Sequence, residues 1–399
     1  MASAGGQRRD AAIVGIYEYP LRKVEGITPL EIKAESAKQA LDDAGFKWSD
    51  VDAIYDAGDG GGAGGLGIAE YFGWQPNVID TTAVGGSSYE FQASHALRDI
   101  AAGKARVALL TYGSTSRMNA VAIGTGGRTS AGPPSPVGNM EDSWGMTLIA
   151  NYALVAQRHM YQYGTTSEQL AEISVATRHH AMRNPQAVRA MDDLGFVDTG
   201  ELTVQDVVES RMVADPLHLL DSCMISDGGG AVVIASADAA RGAKKKPVWL
   251  IGSGEATRYP TNDRDITRSA AEQSGPVAFG EAGVRPDEID IAMIYDSFTI
   301  TVLTILEDLG FCKKGEGGQF VQGGRLRYDT GSLPLNTDGG GLSSNHPGMR
   351  GIFLLIEAAR QLRGESTSQV KDAKLALAHG NGGMLGSRHS GGTIILARD

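Results

Sequence analysis

The fold is decided by one glycine-rich segment, which reads Asp338-Gly-Gly-Gly-Leu-Ser-Ser-Asn-His-Pro-Gly-Met-Arg350. Consecutive glycines let a backbone approach a ligand closely and adopt positive φ values. The run Ile352–Leu362 that follows is predicted to be an apolar helix, and Pro347 suits a first helical turn, where its missing N–H costs nothing. The pattern therefore predicts that His346 lies at a helix N-terminus beside a glycine-lined hollow. A tight turn with a hydrogen-bonded histidine is the alternative.

The chain also contains one pattern twice. The stretch Ala278–Asp296 echoes Ala40–Asp56, because in both a helix end, an Ala-Gly stop and an acidic turn precede a strand that ends in Tyr-Asp. Each copy continues with a glycine-rich loop, a helix and a buried strand, predicted at Ala105–Tyr112 and Lys374–Ala378. Two copies of one βα unit predict an α/β fold with two pseudo-symmetric halves, and convergent patterning is the alternative.

The predicted domain boundaries follow from this repeat. The first copy contains an amphipathic helix over Pro29–Ala44, which Gly45 ends. A segment of different composition, with polar helices rich in Arg, His and Gln, separates the two copies and is predicted to be an inserted lobe. The predicted domains are an N-terminal half (residues 1–119 and 216–245), an inserted loop lobe (120–215) and a C-terminal half (246–399).

Composition excludes several classes of protein. The 399 residues are 42% hydrophobic and 21% charged, as in an ordinary globular protein. A net charge of −11 argues against a broad nucleic-acid surface. No apolar run approaches the roughly 20 residues that span a membrane, and the N-terminus does not read as a secretory signal. Cys223 and Cys312 lack metal-like spacing, so we expect no metal site and a reducing, cytoplasmic location.

Four motifs in the second part of the chain read Ser226-Asp-Gly-Gly-Gly-Ala-Val-Val-Ile234, Tyr295-Asp-Ser-Phe-Thr299, Asn345-His-Pro-Gly348 and His379-Gly-Asn-Gly-Gly383. Together they resemble the thiolase superfamily, in its sterol-carrier-protein-type branch. The resemblance implies a five-layered αβαβα fold, a loop lobe that binds CoA and substrate, and a homodimer. It implies acyl-CoA as the substrate and no separate cofactor.

The chain departs from the thiolase pattern at three positions. Counting back from the helix stop at Gly103, the slot of the thiolase nucleophilic cysteine falls on Gly86, and neither cysteine lies near it. Ser87 is adjacent, but a serine needs a base before it attacks. His379 stands where thiolases place a proton-transferring cysteine, and Tyr295 stands where most have Asn or His. We therefore expect a conserved type of site with changed chemistry and no acyl-enzyme.

Three residues are the candidate catalytic groups. A helix N-terminus would keep His346 neutral, as a base or acceptor. His379 follows an apolar strand, at the strand edge where α/β proteins bind ligands. Tyr295 is a candidate proton donor or acceptor beside a thioester oxygen. Each has a structural alternative: the histidines as hydrogen-bonded core residues, and the tyrosine as a packed residue like Tyr55.

Other residues are expected to support these three. The backbone N–H groups of Gly86, Ser87 and Asn381 are candidates for an oxyanion hole, since glycines leave them unobstructed. Asp296 and Asn345 are expected to hold the backbone or orient neighbours. The CoA-binding residues are not identified by the sequence, although Arg178 and Arg183 are candidates for phosphate contacts.

Three functions remain open at this point. The first is retro-aldol cleavage of a β-hydroxyacyl-CoA, which needs a base, an oxyanion hole and an acid. Nucleophile-free relatives include steroid side-chain aldolases, which work with a small OB-fold/zinc-ribbon partner and have a tyrosine before Asp, as in Tyr295-Asp296. A second tyrosine is missing where Ser343, Ser344 and Asn345 stand. The alternatives are an acyltransferase or thiolase with an unusual nucleophile such as Ser87, and a non-catalytic acyl-CoA or lipid-binding subunit.

Overall fold

The computed structural model describes residues 9–58, 64–119, 147–196, 199–259 and 265–399. Within these ranges, no helix is long and apolar enough to cross a bilayer. The same residues contain no cluster of three or more His, Cys, Asp and Glu side chains that could hold a metal ion. The first part of the predicted inserted lobe, residues 120–146, lies outside the described residues.

The strands in chain order are β1 (Ala11–Glu18), β2 (Ala53–Tyr55), β3 (Val78–Asp80), β4 (Val107–Ser114), β5 (Met212–Ala214), β6 (Leu217–His218), β7 (Gly228–Ser236), β8 (Val248–Arg258), β9 (Ile291–Ile294), β10 (Leu375–Gly383) and β11 (His389–Ala397). The helices are α1 (Pro29–Ala44), α2 (Gly65–Phe72), α3 (Ser88–Ala101), α4 (Leu148–Tyr163), α5 (Ser167–Ala181), α6 (Pro185–Asp193), α7 (Val204–Glu209), α8 (Ala237–Ala240), α9 (Ala271–Ala282), α10 (Thr299–Asp308), α11 (Gly317–Phe320), α12 (Gly340–Ser343) and α13 (Gly351–Arg363). Short 3₁₀ turns occur at Trp48–Asp50, Gly85–Ser87, Leu219–Asp221 and Pro286–Glu288.

The repeat seen in the sequence appears as a mirrored strand order. Nine of the described strands form one sheet in the order β3-β2-β4-β7-β1-β8-β11-β10-β9. Read inward from β2 and from β9, one parallel pairing is followed by antiparallel ones, β4 to β7 to β1 and β10 to β11 to β8. The counterpart of β3 in the second half is reduced to one parallel bridge, Ala292 to Leu335.

The two halves join where β1 pairs with β8 at Ala12–Trp249 and Ile13–Val248. The sheet is therefore continuous, whereas five separate layers would require two sheets. Helices α3 and α13 contact strands of both halves, while α1 packs on β1, β4 and β7, and α9 packs on β8 and β11. The two central helices thus lie between the half-sheets, and the expected α/β layering is confirmed with this one difference.

Local sequence signals explain where α1 begins and ends. Thr28 forms a capping box with Glu31, Pro29 opens the first turn, and Gly45 adopts φ +77° at the C-cap. Each of these features satisfies helix-end groups that have no partner within the helix. The helix predicted over Pro29–Ala44 is confirmed at both ends.

Two predictions about the edges of elements were wrong. The helix after His346 begins at Gly351, so His346 precedes it by a turn rather than lying at its N-terminus. The reason is that Gly348 has φ +112°, which no right-handed helix contains, and Tyr112 Oη bonds the Pro347 carbonyl and the Met349 N–H at 2.8 Å each.

The second error concerns His379, which lies in the middle of β10 rather than after a strand. Pairing with β11 continues beyond it as far as Gly383 opposite His389. The glycines that read as a loop in the sequence are therefore strand residues.

Glu90 on α3 is an unusual member of the central layer. Its side chain is fully buried, and neither carboxylate oxygen has a hydrogen-bond partner among the described residues. The carboxyl group lies against Gly351 and Gly380, where an added Cβ would collide with it. Burial raises the pKa of Glu90 to about 8 from an ordinary value of 4.5. The side chain is therefore uncharged at neutral pH.

This carboxyl group predicts a specific pH dependence of stability. Between pH 4.5 and 8 the folded state keeps a proton that the unfolded state releases, so wild-type stability falls as pH rises. The amide of Glu90→Gln cannot ionise. Its free energy of unfolding relative to wild type should therefore increase by about 1.4 kcal/mol per pH unit across this window.

Urea unfolding at pH 5, 6.5 and 8 measures the effect. Glu70→Gln, at an exposed position on α2, is the matched control and should show no such trend. A constant difference between Glu90→Gln and wild type at all three pH values would contradict the prediction.

Candidate active site

A cavity of about 330 Å³ brings several predicted site residues together. Tyr295, His346, Gly86 and Asn381 all line it. Tyr295 follows β9 directly, and its N–H donates to the His379 carbonyl at 2.9 Å. These residues come from sequence segments far apart in the chain, because the glycine corner of the first copy meets the Tyr-Asp corner and the histidine loop of the second copy here.

Tyr295 and His346 form a hydrogen-bonded pair. Tyr295 Oη lies 2.9 Å from His346 Nε2, with the ring planes at 89°. The tyrosine hydroxyl also lies 3.4 Å from the Gly348 carbonyl oxygen. His346 N donates to Ser226 Oγ at 3.0 Å, which fixes the backbone of the loop. The other ring nitrogen, His346 Nδ1, is buried and has no hydrogen-bond partner in the described ranges.

Both members of this pair are held in their neutral forms. Burial, followed by the positive charge of Arg350, lowers the pKa of His346 to about 4. Burial raises the pKa of Tyr295 well above its ordinary value. At 2.9 Å, two neutral groups can form the hydrogen bond in two ways, with either the phenol or the imidazole as the donor. The pair can therefore pass a proton without creating a permanent buried charge.

Arg350 supports the loop that carries His346. Its guanidinium is fully buried, donates to both Asp338 oxygens at 2.8 and 2.6 Å, and lies 3.2 Å from Asp296 Oδ1. It also donates to Asn345 Oδ1 at 2.9 Å and to the Asn345 carbonyl at 3.2 Å. Asp296 and Asn345 thus hold the backbone around His346 and do not point reacting atoms into the cavity.

Burial opposes ionisation of Asp296, whose pKa is raised to about 6 although Arg350 acts in the other direction. Its oxygens accept from the N–H groups of Gly341 at 2.8 Å and Leu342 at 3.2 Å. The glycine triplet is therefore bound by a carboxylate of the protein.

The cysteine slot of the sequence analysis is filled by another side chain. A Cβ at Gly86 would overlap the Tyr295 ring and the Asn381 carbonyl oxygen. Any side chain at position 86 would have to displace the tyrosine. Ser87 is buried, with its Oγ 2.7 Å from Ser390 Oγ, which in turn donates to the Val84 carbonyl at 2.6 Å. Its hydroxyl is engaged by a neutral serine and not by a base.

His379 is not brought to the pair. Its ring is buried, its Nδ1 lies 2.8 Å from Thr393 Oγ1, and it is not among the described residues that line the cavity. Burial, then the charge of His389, lowers the pKa of His379 to about 3. The side chain has the surroundings of a structural histidine.

Cys223 and Tyr152 are two of the cavity residues that were not singled out as site residues from the sequence. Cys223, distant from Gly86 in sequence, lines the same cavity, but burial and then the charge of Asp296 raise the pKa of its thiol to about 12. Tyr152 on α4 accepts from Asn381 Nδ2 at 3.0 Å and packs against Phe298 at 4.6 Å. Neither carries a local sequence signal, because only tertiary contacts bring them to the site.

The arginines proposed for phosphate contacts are engaged elsewhere. Arg178 is buried and donates to Ser343 Oγ at 3.0 Å and to the Gly200 carbonyl at 3.1 Å, so it is not a surface residue. Arg183 pairs with Glu201 at 3.0 Å. The interpretation of Arg178 as a CoA contact was wrong, because composition alone does not reveal burial.

Comparison with known proteins gives the family. The family "Thiolase C-terminal domain-like" matches residues 252–398. The acetyl-CoA acetyltransferase of Methanothermobacter thermautotrophicus is 34% identical, over 95% of this chain and 98% of that protein. The steroid side-chain-cleaving aldolase of Thermomonospora curvata is 32% identical, over 91% and 92%.

A solved structure agrees over the same length. The Ltp2-ChsH2(DUF35) aldolase superposes with a TM-score of 0.85 at 30% identity, covering 98% of both chains. Near-complete coverage by an acetyltransferase and by aldolases shows that the chain belongs to the thiolase superfamily, in the thiolase-like branch that includes the steroid side-chain-cleaving aldolases.

Proposed function

We propose that this chain is an acyl-CoA carbon–carbon lyase that cleaves a β-hydroxyacyl-CoA by a retro-aldol reaction. The observation that carries the proposal is the neutral Tyr295–His346 pair, whose phenol ring occupies the space a nucleophile at Gly86 would need. The chemistry requires the CoA thioester of the substrate and no separate cofactor.

The reaction needs one proton to leave the substrate β-hydroxyl and one to be returned to the α carbon. Tyr295 Oη accepts the proton of the substrate β-hydroxyl while its own proton passes to His346 Nε2, 2.9 Å away. The Cα–Cβ bond breaks, the β carbon becomes an aldehyde or ketone, and the electron pair moves into the thioester as an enolate. Because the pKa of His346 is about 4, its imidazolium is a strong acid and returns the proton to the α carbon.

The enolate oxygen needs hydrogen-bond donors in a dry site. We assign this role to the backbone N–H groups of Gly86, Ser87 and Asn381. Gly86 and Asn381 line the cavity beside Tyr295, which supports the assignment. We assign His379, Asp296 and Asn345 positioning roles, since their polar atoms bond to protein groups.

The relatives also support assembly with other chains. The similar Ltp2-ChsH2(DUF35) aldolase pairs Ltp2 with a second protein, ChsH2(DUF35). This pairing favours a small OB-fold/zinc-ribbon partner for this chain as well. The edge strand β3 exposes Ile79, and nearby Leu66 and Tyr71 are exposed too, which favours a homodimer contact. We place the assembly in the cytoplasm, where Cys223 and Cys312 would stay reduced.

An acyltransferase is the second candidate, favoured by the 34% identity with an acetyl-CoA acetyltransferase. It would need a nucleophile, and Ser87 and Cys223 both lack an activating base among the described residues. A non-catalytic acyl-CoA-binding subunit is the third.

A substrate screen tests the three functions together. The chain, alone and co-expressed with its candidate partner, is incubated with β-hydroxyacyl-CoAs and, in the presence of free CoA, with β-ketoacyl-CoAs. Release of an aldehyde or ketone with a shortened acyl-CoA from the hydroxy compounds supports the lyase. Thiolysis of the keto compounds supports the acyltransferase, and binding without turnover supports the carrier.

Removing the tyrosine hydroxyl should affect the chemical step. Tyr295→Phe should lower kcat about 10²- to 10⁴-fold with little change in KM, because the ring still packs but transfers no proton. Tyr161→Phe, on an exposed ring, is the matched control. The loss in Tyr295→Phe combined with His346→Gln should be no larger than in either single variant, since the two act as a unit. Fully multiplicative losses would contradict this.

The pH dependence of kcat/KM should also show that the reaction requires His346 in its neutral form. Protonation of His346 blocks the Nε2 acceptor, so kcat/KM should stay level from pH 5 to 7 and fall as pH drops through about 4. Initial rates are measured over the pH range in which circular dichroism shows a folded protein. A fall in kcat/KM already between pH 7 and 6 would show that an ordinary histidine controls the reaction instead.

No covalent intermediate should accumulate. Intact mass spectrometry during turnover should find the chain at its unmodified mass, because neither Ser87 nor Cys223 is activated. An acyl adduct that disappears in Ser87→Ala or Cys223→Ala would overturn the lyase mechanism in favour of the acyltransferase.

A further inference from the structure

Beyond the Tyr295–His346 pair, six of the described residues that line the cavity have large apolar side chains. We call this surface the apolar wall, and its members are Leu148, Ile149, Val213, Leu219, Ile225 and Phe298. They come from the first turn of α4, from strand β5 and its surroundings, and from the residues before α10. The wall is therefore built by several separate segments and not by one sequence motif.

The hydroxyl groups that interrupt the apolar wall bond to the protein itself. Ser222 Oγ donates to the His218 carbonyl at 3.3 Å, and Ser297 Oγ pairs with Thr301 Oγ1 at 3.0 Å. Tyr152 Oη accepts from Asn381 and lies 3.3 Å from the Gly383 carbonyl. A polar group of a ligand would lose its water and meet hydrogen-bonding groups that already have partners, which is costly.

Charge is also nearly absent from this surface. Among the described lining residues, Arg211 is the one with a permanently charged side chain, and it is exposed and adjoins β5. The carboxylates nearest the site, Asp296 and Asp338, face Arg350 behind the loop. The cavity of about 330 Å³ is at the small end of the range for small-molecule pockets, so it suits a medium-sized group.

We propose that the apolar wall binds the acyl group of the substrate, and that this group is an uncharged, medium-sized hydrocarbon without polar substituents beyond the β-hydroxyl. The inference rests on the proposed function in taking the cavity as the acyl-CoA site. The pantetheine arm of CoA, which contains two amides, suits this wall poorly, because the wall hydroxyls bond to the protein.

Binding without turnover tests this directly. The chain is titrated with CoA, acetyl-CoA, octanoyl-CoA and octanedioyl-CoA, none of which has the β-hydroxyl that cleavage requires. Each buried CH₂ favours binding by about fourfold at most. Octanoyl-CoA should therefore bind at least about tenfold more tightly than acetyl-CoA. Octanedioyl-CoA, of equal length with a terminal carboxylate, should lose most of that gain.

Strand β5 offers a matched pair of variants. Val213 lines the cavity, whereas its neighbour Met212 does not, and both side chains are substantially exposed, so either accepts a polar replacement. Val213→Glu should weaken octanoyl-CoA binding at least about tenfold and change CoA binding less than twofold. Met212→Glu should leave both affinities within twofold of wild type.

Two results would overturn the proposal. One is equal affinity for octanoyl-CoA and octanedioyl-CoA in the wild-type chain. The other is an equal loss of CoA and octanoyl-CoA affinity in Val213→Glu, which would mean that the wall holds the pantetheine arm. Because no cleavage is measured, selective binding combined with an inactive substrate screen would reject the lyase while leaving the acyl-group inference standing.

Discussion

The buried Arg350 guanidinium is the contact on which the site depends. It joins Asp338 before the glycine triplet, Asp296 after β9 and Asn345 before the histidine. Removing a charge from water costs several kcal/mol, which is offset only where partners surround the group as they do here. A neutral residue at position 350 would leave two buried carboxylates unpaired. The arginine therefore fixes the positions of Tyr295 and His346 at once, since each adjoins one of its partners.

The same charge links structure to chemistry. Arg350 is the cation that, after burial, disfavours protonation of His346. A phenol and a neutral imidazole, both buried, then share a hydrogen bond. In this arrangement a transient imidazolium is short-lived, and that property suits a reaction in which the proton must return to carbon. Arg350 thus holds the loop in place and adds to the effect of burial in lowering the pKa of His346.

The sequence predicted those parts of the fold that local patterns encode. The repeat led to the mirrored strand order and to Tyr295, and the caps of α1 follow from adjacent residues. The start of α13 was missed because a tertiary contact from Tyr112 and the positive φ of Gly348 keep the loop non-helical. His379 was misplaced because the glycines that follow it pair as strand residues.

The site itself was predicted only in part for a similar reason. Tyr152 and Cys223 reach the cavity through packing between segments, which no spacing rule describes. Arg178 read as a surface cation and proved to be a buried donor to Ser343. Whether a side chain is buried, and which groups it bonds to, depends on the fold of the whole chain. Residue type alone therefore did not place Tyr152 and Cys223 at the site, and it placed Arg178 wrongly at the surface.

The overlap between position 86 and the Tyr295 ring limits how single substitutions could change the chemistry of this site. A cysteine introduced at Gly86 would collide with the Tyr295 ring, and in the proposed mechanism a shorter side chain at position 295 would remove the proton carrier. A cysteine nucleophile at position 86 would therefore require a second change at position 295.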